Sequence, residues 1–441
     1  MVCHRYKYCG TLLFNAPANR LSRTTRLVFQ VAMSTHPDAA QPPSTAQPEG
    51  TIRSKLLLVF AICFISINLR SALISVGPVV ESIRHSLSLS GTMVGLLLTL
   101  PVLCFGAFAP FVPRLQRYRS SEQLVTLALI VLCVGVALRS LFGTFGLFAG
   151  TLVSGAAISV VMVMLPSLIK KNFATQAGAM MGLYSTALCL GATVAAAFTV
   201  PVESIPGSDW RWALAFWNLP LFVAIALWLP YSKAGKANPL AATVKLPKLR
   251  SNALAWQVSL FMGIQSSIAY CVFGWLPVIL VDRGLTPLAA GFMLSICMGV
   301  QVVTSLSAPW LATRSKDQRS TIALMLALSV VGLMTTIYAP LETMWLWSTI
   351  LGLGLGGVFS MALALLVLRA PNPQVAASLS GMAQGVGYTV AATGPIIVGV
   401  LHELTGNWHA VAVFYLVLAT GSFTFGMGAG RNLYIKPDPK S

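Results

Sequence analysis

The sequence predicts an all-α integral membrane protein whose twelve transmembrane helices form two six-helix repeats. Three observations predict it. Only 9% of the 441 residues are charged and 56% are apolar, whereas a soluble domain carries roughly 25% charged residues. The apolar residues gather in twelve runs, most of about 20–25 residues, the length that crosses a hydrocarbon core of roughly 30 Å. Short motifs also recur in the second half at a constant offset of 199 residues, as from Ala109-Pro110 to Ala308-Pro309.

The elements follow in order. Helix one, 56–80, starts behind Arg53 and Lys55 and is followed by Arg84. Helix two, 92–113, ends on Arg114, Arg117 and Arg119. Helices three and four, 123–143 and 145–169, turn near Arg139 and end on Lys170 and Lys171. Helices five and six, 177–201 and 211–231, are separated by a gap ending at Arg211. Residues 232–253 hold Lys233, Lys236, Lys245, Lys248 and Arg250 and read as a polar linker. Helices seven and eight, 254–281 and 289–311, flank Arg283 and lead to Arg314, Lys316 and Arg319. Helices nine and ten, 321–340 and 343–368, lead to Arg369; helices eleven and twelve, 379–401 and 408–429, lead to Arg431, Lys436 and Lys440. With the N-terminus inside, 19 cations flank the inner ends and 4 the outer ends. That bias predicts cytoplasmic termini, in a bacterial inner membrane.

The halves, 53–231 and 254–430, match at further points: Gly182 with Gly381, and Lys170 with Arg369. Two six-helix halves in parallel repeat are the organisation of the major facilitator fold. Residues 1–52 lie outside this plan, as does the short cytoplasmic tail 431–441. The first segment carries Arg5, Lys7, Arg20, Arg23 and Arg26 with no acid before Asp38, followed by a Pro/Ala/Gln/Ser/Thr stretch. An Arg-rich, acid-poor start resembles a transit peptide. The plainer expectation is a disordered tail with Met33 as the true start.

Several function classes drop out. The net charge of +18 sits in gaps between apolar runs and is not interleaved with stacking aromatics, so it reflects topology and not nucleic-acid binding. No Gly-x-x-x-x-Gly-Lys-Ser/Thr loop and no His-Glu-x-x-His occurs, and the cysteines lack metal-ligand spacing. The sequence therefore predicts no enzyme, catalytic residue, cofactor or metal. Its expected partners are the lipid bilayer and a small-molecule solute, with the chain acting as a monomer.

Charge inside the spans is the informative signal, because an arginine near a helix centre costs roughly 2.5–3.5 kcal/mol on insertion scales. Arg70, inside helix one, is the deep charge. Its planar fork of donors suits a small anion or a polarised planar group, although helix carbonyls or a neighbouring side chain could also take it. Gly77-Pro78 downstream allows a bend. No Asp or Glu falls near the middle of a span. The nearest coupling candidates are Glu81 and Glu403 at outer helix ends, the latter near His402 and His409. Asn68, Tyr184, Ser185, Gln265, Tyr270, Gln301, Gln384 and Tyr388 are polar residues within spans, and each needs a partner. Gln265 and Gln384, with Tyr270 and Tyr388, are candidates for solute contact, and Asn68 could brace the bent segment.

Asn68-Leu69-Arg70 followed by Ser75-Val76-Gly77-Pro78 resembles the start of the cyanate permease and 2-nitroimidazole transporter family. Gln265-Ser266, Trp275-Leu276-Pro277, Gly284-Leu285-Thr286-Pro287 and Ala290-Gly291 resemble its seventh and eighth helices. Gly381-Met382-Ala383-Gln384-Gly385-Val386-Gly387-Tyr388, Gly394-Pro395 and Leu404-Thr405-Gly406 resemble its eleventh. The similarity covers about residues 56–430. Two departures stand out. Ser71 replaces the family's usual proline after the arginine, and Ala109-Pro110-Phe111-Val112-Pro113-Arg114 lacks the acid of the Asp-Arg pair common in the wider superfamily. The resemblance implies a secondary transporter moving a small polar or anionic organic solute, cyanate-like or similar, by alternating access. Its alternative is a proton-coupled efflux pump for nitroimidazole-like or other drug-like heterocycles. A transporter-shaped receptor would need a signalling domain, and neither the tails nor the linker is long enough to hold one.

Overall fold

A computed structural model describes residues 52–116, 118–234 and 249–435. The N-terminal tail with Met33, most of the linker with Lys236, Lys245 and Lys248, and Arg117, Lys436 and Lys440 lie outside the described residues. Among the described residues all regular structure is helical, and twelve helices are long and apolar enough to cross a membrane. Large apolar side chains such as Phe222, Val303 and Val417 are exposed on them, as lipid-facing surfaces require.

The spans depart from the sequence reading where proline and polar caps intervene. Span 1 stops at Ile74, before Gly77-Pro78, and a short helix Val80–Leu87 follows. Pro78 has no N–H to continue the ladder, and Gly77 instead donates to the Ile74 carbonyl in a turn. Span 2, Gly91–Phe108, tightens into a 3-10 turn at Ala109–Phe111 and one further turn, Val112–Leu115, because Pro110 and Pro113 interrupt it. Span 6 divides into Trp210–Ala215 and Asn218–Ala234. Span 11 begins at Pro373, earlier than predicted. Asn372 accepts from the Val375 N–H as its cap and Pro373 occupies the first turn. Its polar first turns had read as loop.

The motifs that recur at the 199-residue offset pack against each other. The end of the bundle where span 1 begins and span 12 stops also carries the loops after spans 2, 4, 8 and 10. There Pro110 and Pro113 of span 2 lie on Gly385 and Gly381 of span 11. A Cβ on Gly385 would come within 2.5 Å of Pro110 Cγ, and one on Gly381 within 2.8 Å of Pro113 Cγ. In a second half-to-half contact, Pro309 of span 8 (Pro287–Arg314) faces Gly182 of span 5 (Ala177–Glu203), where an added Cβ would lie 3.5 Å from Pro309 Cγ. Gln384 of span 11 also donates to the Met162 carbonyl of span 4 (Gly143–Asn172) at 3.0 Å, and Ser167 donates to the Pro373 carbonyl at 2.9 Å. Shape and neutral hydrogen bonds thus close this end, where the sequence lacks an acid for a charged closure.

Candidate functional site

Span 1 carries Arg70 one turn before its last residue, Ile74. The sequence reading put it deep inside a longer helix. The early stop instead puts it near a helix C-terminus, whose dipole favours a cation. Ser71, beside it, donates to the Gly191 carbonyl of span 5 at 2.9 Å, a bond that proline could not make. A Cβ on Gly191 would lie 2.8 Å from Ile67 Cα, so glycine is what lets the two backbones touch.

Arg70 is not the only deep charge. Arg139 of span 3 (Ser121–Leu141) is 1% exposed and donates Nη1 to the Ala72 carbonyl at 2.6 Å. Its Nε and Nη2 have no partner. The sequence placed Arg139 on an outer flank. It does lie in the last turn of span 3, but it is buried, because span 4 lies over it: a Cβ on Gly150 would come 3.0 Å from Arg139 Cγ. Arg139 therefore holds a carbonyl two residues beyond Arg70, at the end of the broken helix. Its hydrogen bond to the carbonyl is worth about 1.5–3 kcal/mol, and the cost of burying its charge opposes that gain. Arg139→Met is accordingly expected to leave thermal stability within about 2 kcal/mol of native. The same change is expected to lower transport about tenfold by loosening the end that positions Arg70. Thermal unfolding and uptake on the same preparation check both; native uptake rates contradict the positioning role.

The Arg70 side chain faces a cavity of about 210 Å³, lined also by Leu73, Cys189, Tyr270, Phe273 and Gln301. A smaller recess continues from it past Ser266, Phe359 and Tyr388. The guanidinium carbon lies 5.7 Å from the Phe359 ring centre, within cation–π range. Tyr388 packs against Phe105 at 5.2 Å between centroids with the rings tilted by 57°, and Tyr270 meets Phe273 edge-on at 6.3 Å. None of the described ion pairs includes Arg70 or Arg139, and no Asp or Glu is among the described lining residues.

Of the predicted contact residues, the structure brings Arg70, Tyr270 and Tyr388 together at this cavity. It does not bring Asn68, Gln265 or Gln384 there. Asn68 donates to Phe64 O of its own helix at 2.8 Å. Gln265 turns back to Met262 O at 3.1 Å and Ser266 Oγ at 2.8 Å. Gln384 is spent on Met162. Glu403 is exposed near the end of span 11 (Pro373–Thr405). Glu81 lies on the helix Val80–Leu87, and its side chain lies outside the described residues.

Cys189 and Phe359 were missed as lining residues, and Gln301 was singled out only as a polar residue in need of a partner. The repeat was the signal that could have found them. At the 199-residue offset Arg70 matches Ala269, Ile74 matches Phe273, Val102 matches Gln301 and Cys189 matches Tyr388, and all eight line the cavity or its recess. The site is therefore built by equivalent positions of both halves, which is where carriers built from repeats hold their solutes. The polar groups are distributed unequally over this symmetric frame: the guanidinium comes from one half, the amide and both phenols from the other.

A family model described as Major Facilitator Superfamily matches residues 56–395. The chain is 35% identical to the uncharacterized transporter YycB of Bacillus subtilis (strain 168), over 86% of this chain and 94% of that protein. It is 33% identical to the 2-nitroimidazole transporter of Escherichia coli (strain K12), over 87% of this chain and 98% of that one. It is 30% identical to the cyanate transport protein CynX of the same organism, over 83% and 97%. Among solved structures, the human organic anion transporter MFSD10 superposes with a TM-score of 0.69 at 13% identity, covering 87% of this chain and 100% of that one; this is a likeness of fold.

Proposed function

The chain belongs to the major facilitator superfamily, a family of membrane transporters and not of enzymes, and from that premise we propose that it moves a small polar or anionic organic solute by alternating access, as a secondary active carrier. One observation carries the reading: a guanidinium with no described acid partner faces a cavity lined by repeat-equivalent positions of both halves. Arg70 binds the solute there, with Tyr270 and Tyr388 beside it. Closure between spans 2 and 11 and between spans 5 and 8 separates the site from the end bearing the termini. Rocking of the halves exposes the site to each side in turn. The carrier acts as a monomer in a bacterial inner membrane with both termini cytoplasmic. The excess of Lys and Arg at that end and the bacterial relatives support this placement.

Counterflow in proteoliposomes tests the reading. Arg70→Ala is expected to lower uptake about thirty-fold, the loss of a charge-assisted pair of roughly 2 kcal/mol. Arg70→Lys is expected to recover part of it, since lysine restores the charge without the planar fork. Native uptake by the alanine variant, at native protein levels, rules out this role. The 2-nitroimidazole transporter among the relatives favours a second reading, proton-coupled export of heterocycles. Solute-dependent proton movement lost in Glu81→Gln or Glu403→Gln would select it.

A further inference from the structure

The cavity presents hydrogen-bond donors that its own walls leave unused. Gln301 of span 8 is 7% exposed and lines both the cavity and its recess. Its amide nitrogen finds no oxygen or nitrogen acceptor, and only the weakly accepting Cys297 thiol of its own helix lies within reach. A buried amide donor left unpaired is costly, and a solute acceptor in the cavity would remove that cost. Arg70 faces the same space from the other half, and no described lining residue brings a carboxylate to it. One fixed positive charge and one neutral donor match a single negative charge spread over two acceptor atoms. Aromatic side chains of the second half form one side, Tyr270 and Phe273 in the cavity and Phe359 and Tyr388 in its recess, opposite aliphatic Leu73, Ile74, Leu98 and Val102 of the first half. Faces and edges of this kind hold a flat conjugated ring better than a puckered one. The cavity of about 210 Å³ has room for several waters and so for one ring with its acid group.

Resting on the carrier reading above, we propose that Gln301 donates to the same anionic group that Arg70 binds, and that the solute is a planar aromatic or heteroaromatic monocarboxylate. The acid group then bridges the two halves, Arg70 on one side and Gln301 on the other, and the ring lies along the aromatic wall. Gln301 thereby sets specificity: it rewards two acceptors in one plane, whereas a bare cation would hold any anion.

The test is counterflow by the full chain in proteoliposomes with labelled benzoate, against cyclohexanecarboxylate, cyanate and neutral 2-nitroimidazole as competitors. The expected result is benzoate exchange, with cyclohexanecarboxylate at least tenfold weaker. Gln301→Leu is expected to raise the half-saturation concentration for benzoate about tenfold, the worth of a hydrogen bond to a charged group. Gln301→Asn is expected to recover part of the loss, and both variants to elute as native protein. Equal competition by the puckered acid, or a Gln301→Leu value within twofold of native, overturns the proposal. So does exchange of cyanate or 2-nitroimidazole without benzoate, or of none of the four. Arg70→Ala separates the two levels of inference. If it lowers exchange of whichever solute is carried while Gln301→Leu leaves the half-saturation concentration within twofold of native, this proposal fails and the carrier reading stands. If neither variant changes exchange, both fail.

Discussion

Gly385→Leu is expected to lower transport at least a hundredfold while the protein still folds and inserts. In the conformation described, Gly385 has space for no side chain: even a Cβ would sit 2.5 Å from Pro110 Cγ and 2.9 Å from its Cδ. Leucine adds three more carbons at the same place. Overpacking costs about 1–3 kcal/mol, occasionally more, and here the cost falls on one conformation only, because spans 2 and 11 must part when this end opens. At 1.4 kcal/mol per decade, about 3 kcal/mol depopulates the closed state more than a hundredfold. Gly385→Ala is expected to show a smaller loss in the same direction. Ser380→Cys supplies a reporter, since Ser380 on span 11 is fully buried at this end. Thiol labelling of that cysteine is expected to be slow alone and fast when combined with Gly385→Leu. Slow labelling in the double variant, or native transport by Gly385→Leu, contradicts the assignment of this contact as the closure.

The second large effect concerns stability. Arg369 follows span 10 (Met344–Leu368) and is 2% exposed, although the sequence placed it on a cytoplasmic flank. Its Nε donates to the Ala429 carbonyl at 2.8 Å, and its Nη2 to the Gly430 carbonyl at 3.3 Å and to Gln318 Oε1. The Arg369 carbonyl accepts from the Ile435 N–H at 2.9 Å. One side chain thus ties the end of span 12 (His409–Ala429) to the start of span 9 (Arg319–Tyr338), as a cation at a helix C-terminus should. Burial pushes its pKa down to about 10, with Tyr434 and Asp317 acting in the opposite direction, so it stays charged at neutral pH. Arg369→Met leaves the Ala429 carbonyl and Gln318 Oε1 without this donor, while the Gly430 carbonyl keeps the Gln318 N–H at 3.0 Å. At about 1–3 kcal/mol for each buried group left unpaired, less the relieved burial of the charge, the expected net loss is about 3 kcal/mol. Lys170 holds the equivalent position in the first half and is only half-buried; Lys170→Met is expected to cost under about 0.5 kcal/mol. Thermal unfolding in one detergent compares them, and equal losses would contradict the difference in burial.

The twelve spans and the repeat were legible because length and composition set them, and a bilayer leaves little alternative to helices. The rotation of each helix was much less legible. In a soluble helix the apolar stripe fixes which face is inward. Here lipid-facing and protein-facing sides are both apolar, so that guide is missing. Gln265 and Tyr270 are five residues apart on one helix, about 140° around it. They point to different sides, and nothing in their sequence said which side met the cavity. Asn68 and Arg70, two residues apart, pose the same problem. The burial of Arg139 was hidden for a related reason: span 4 covers it through glycines, and an apolar helix rich in glycine reads the same whether or not it lies over a cation. Arg70 could be read because a charge is costly in almost any orientation, although the end of its helix was misplaced by reading through Gly77-Pro78.

The cavity's single fixed cation, with no carboxylate among its described lining residues, also bears on energy supply. On the proposed carriage of a monoanion without a compensating proton, the carrier moves the solute together with its charge. Each such crossing then exchanges energy with the membrane potential, about 2.3 kcal/mol per charge for every 100 mV. In a cell with a negative interior that field drives the anion outward. At 100 mV it could hold an outside-to-inside ratio of nearly fiftyfold at equilibrium. On the proposed carriage of a monoanion, voltage would act as a co-substrate, and a potassium diffusion potential of either sign, imposed on proteoliposomes, would set the direction of net flux.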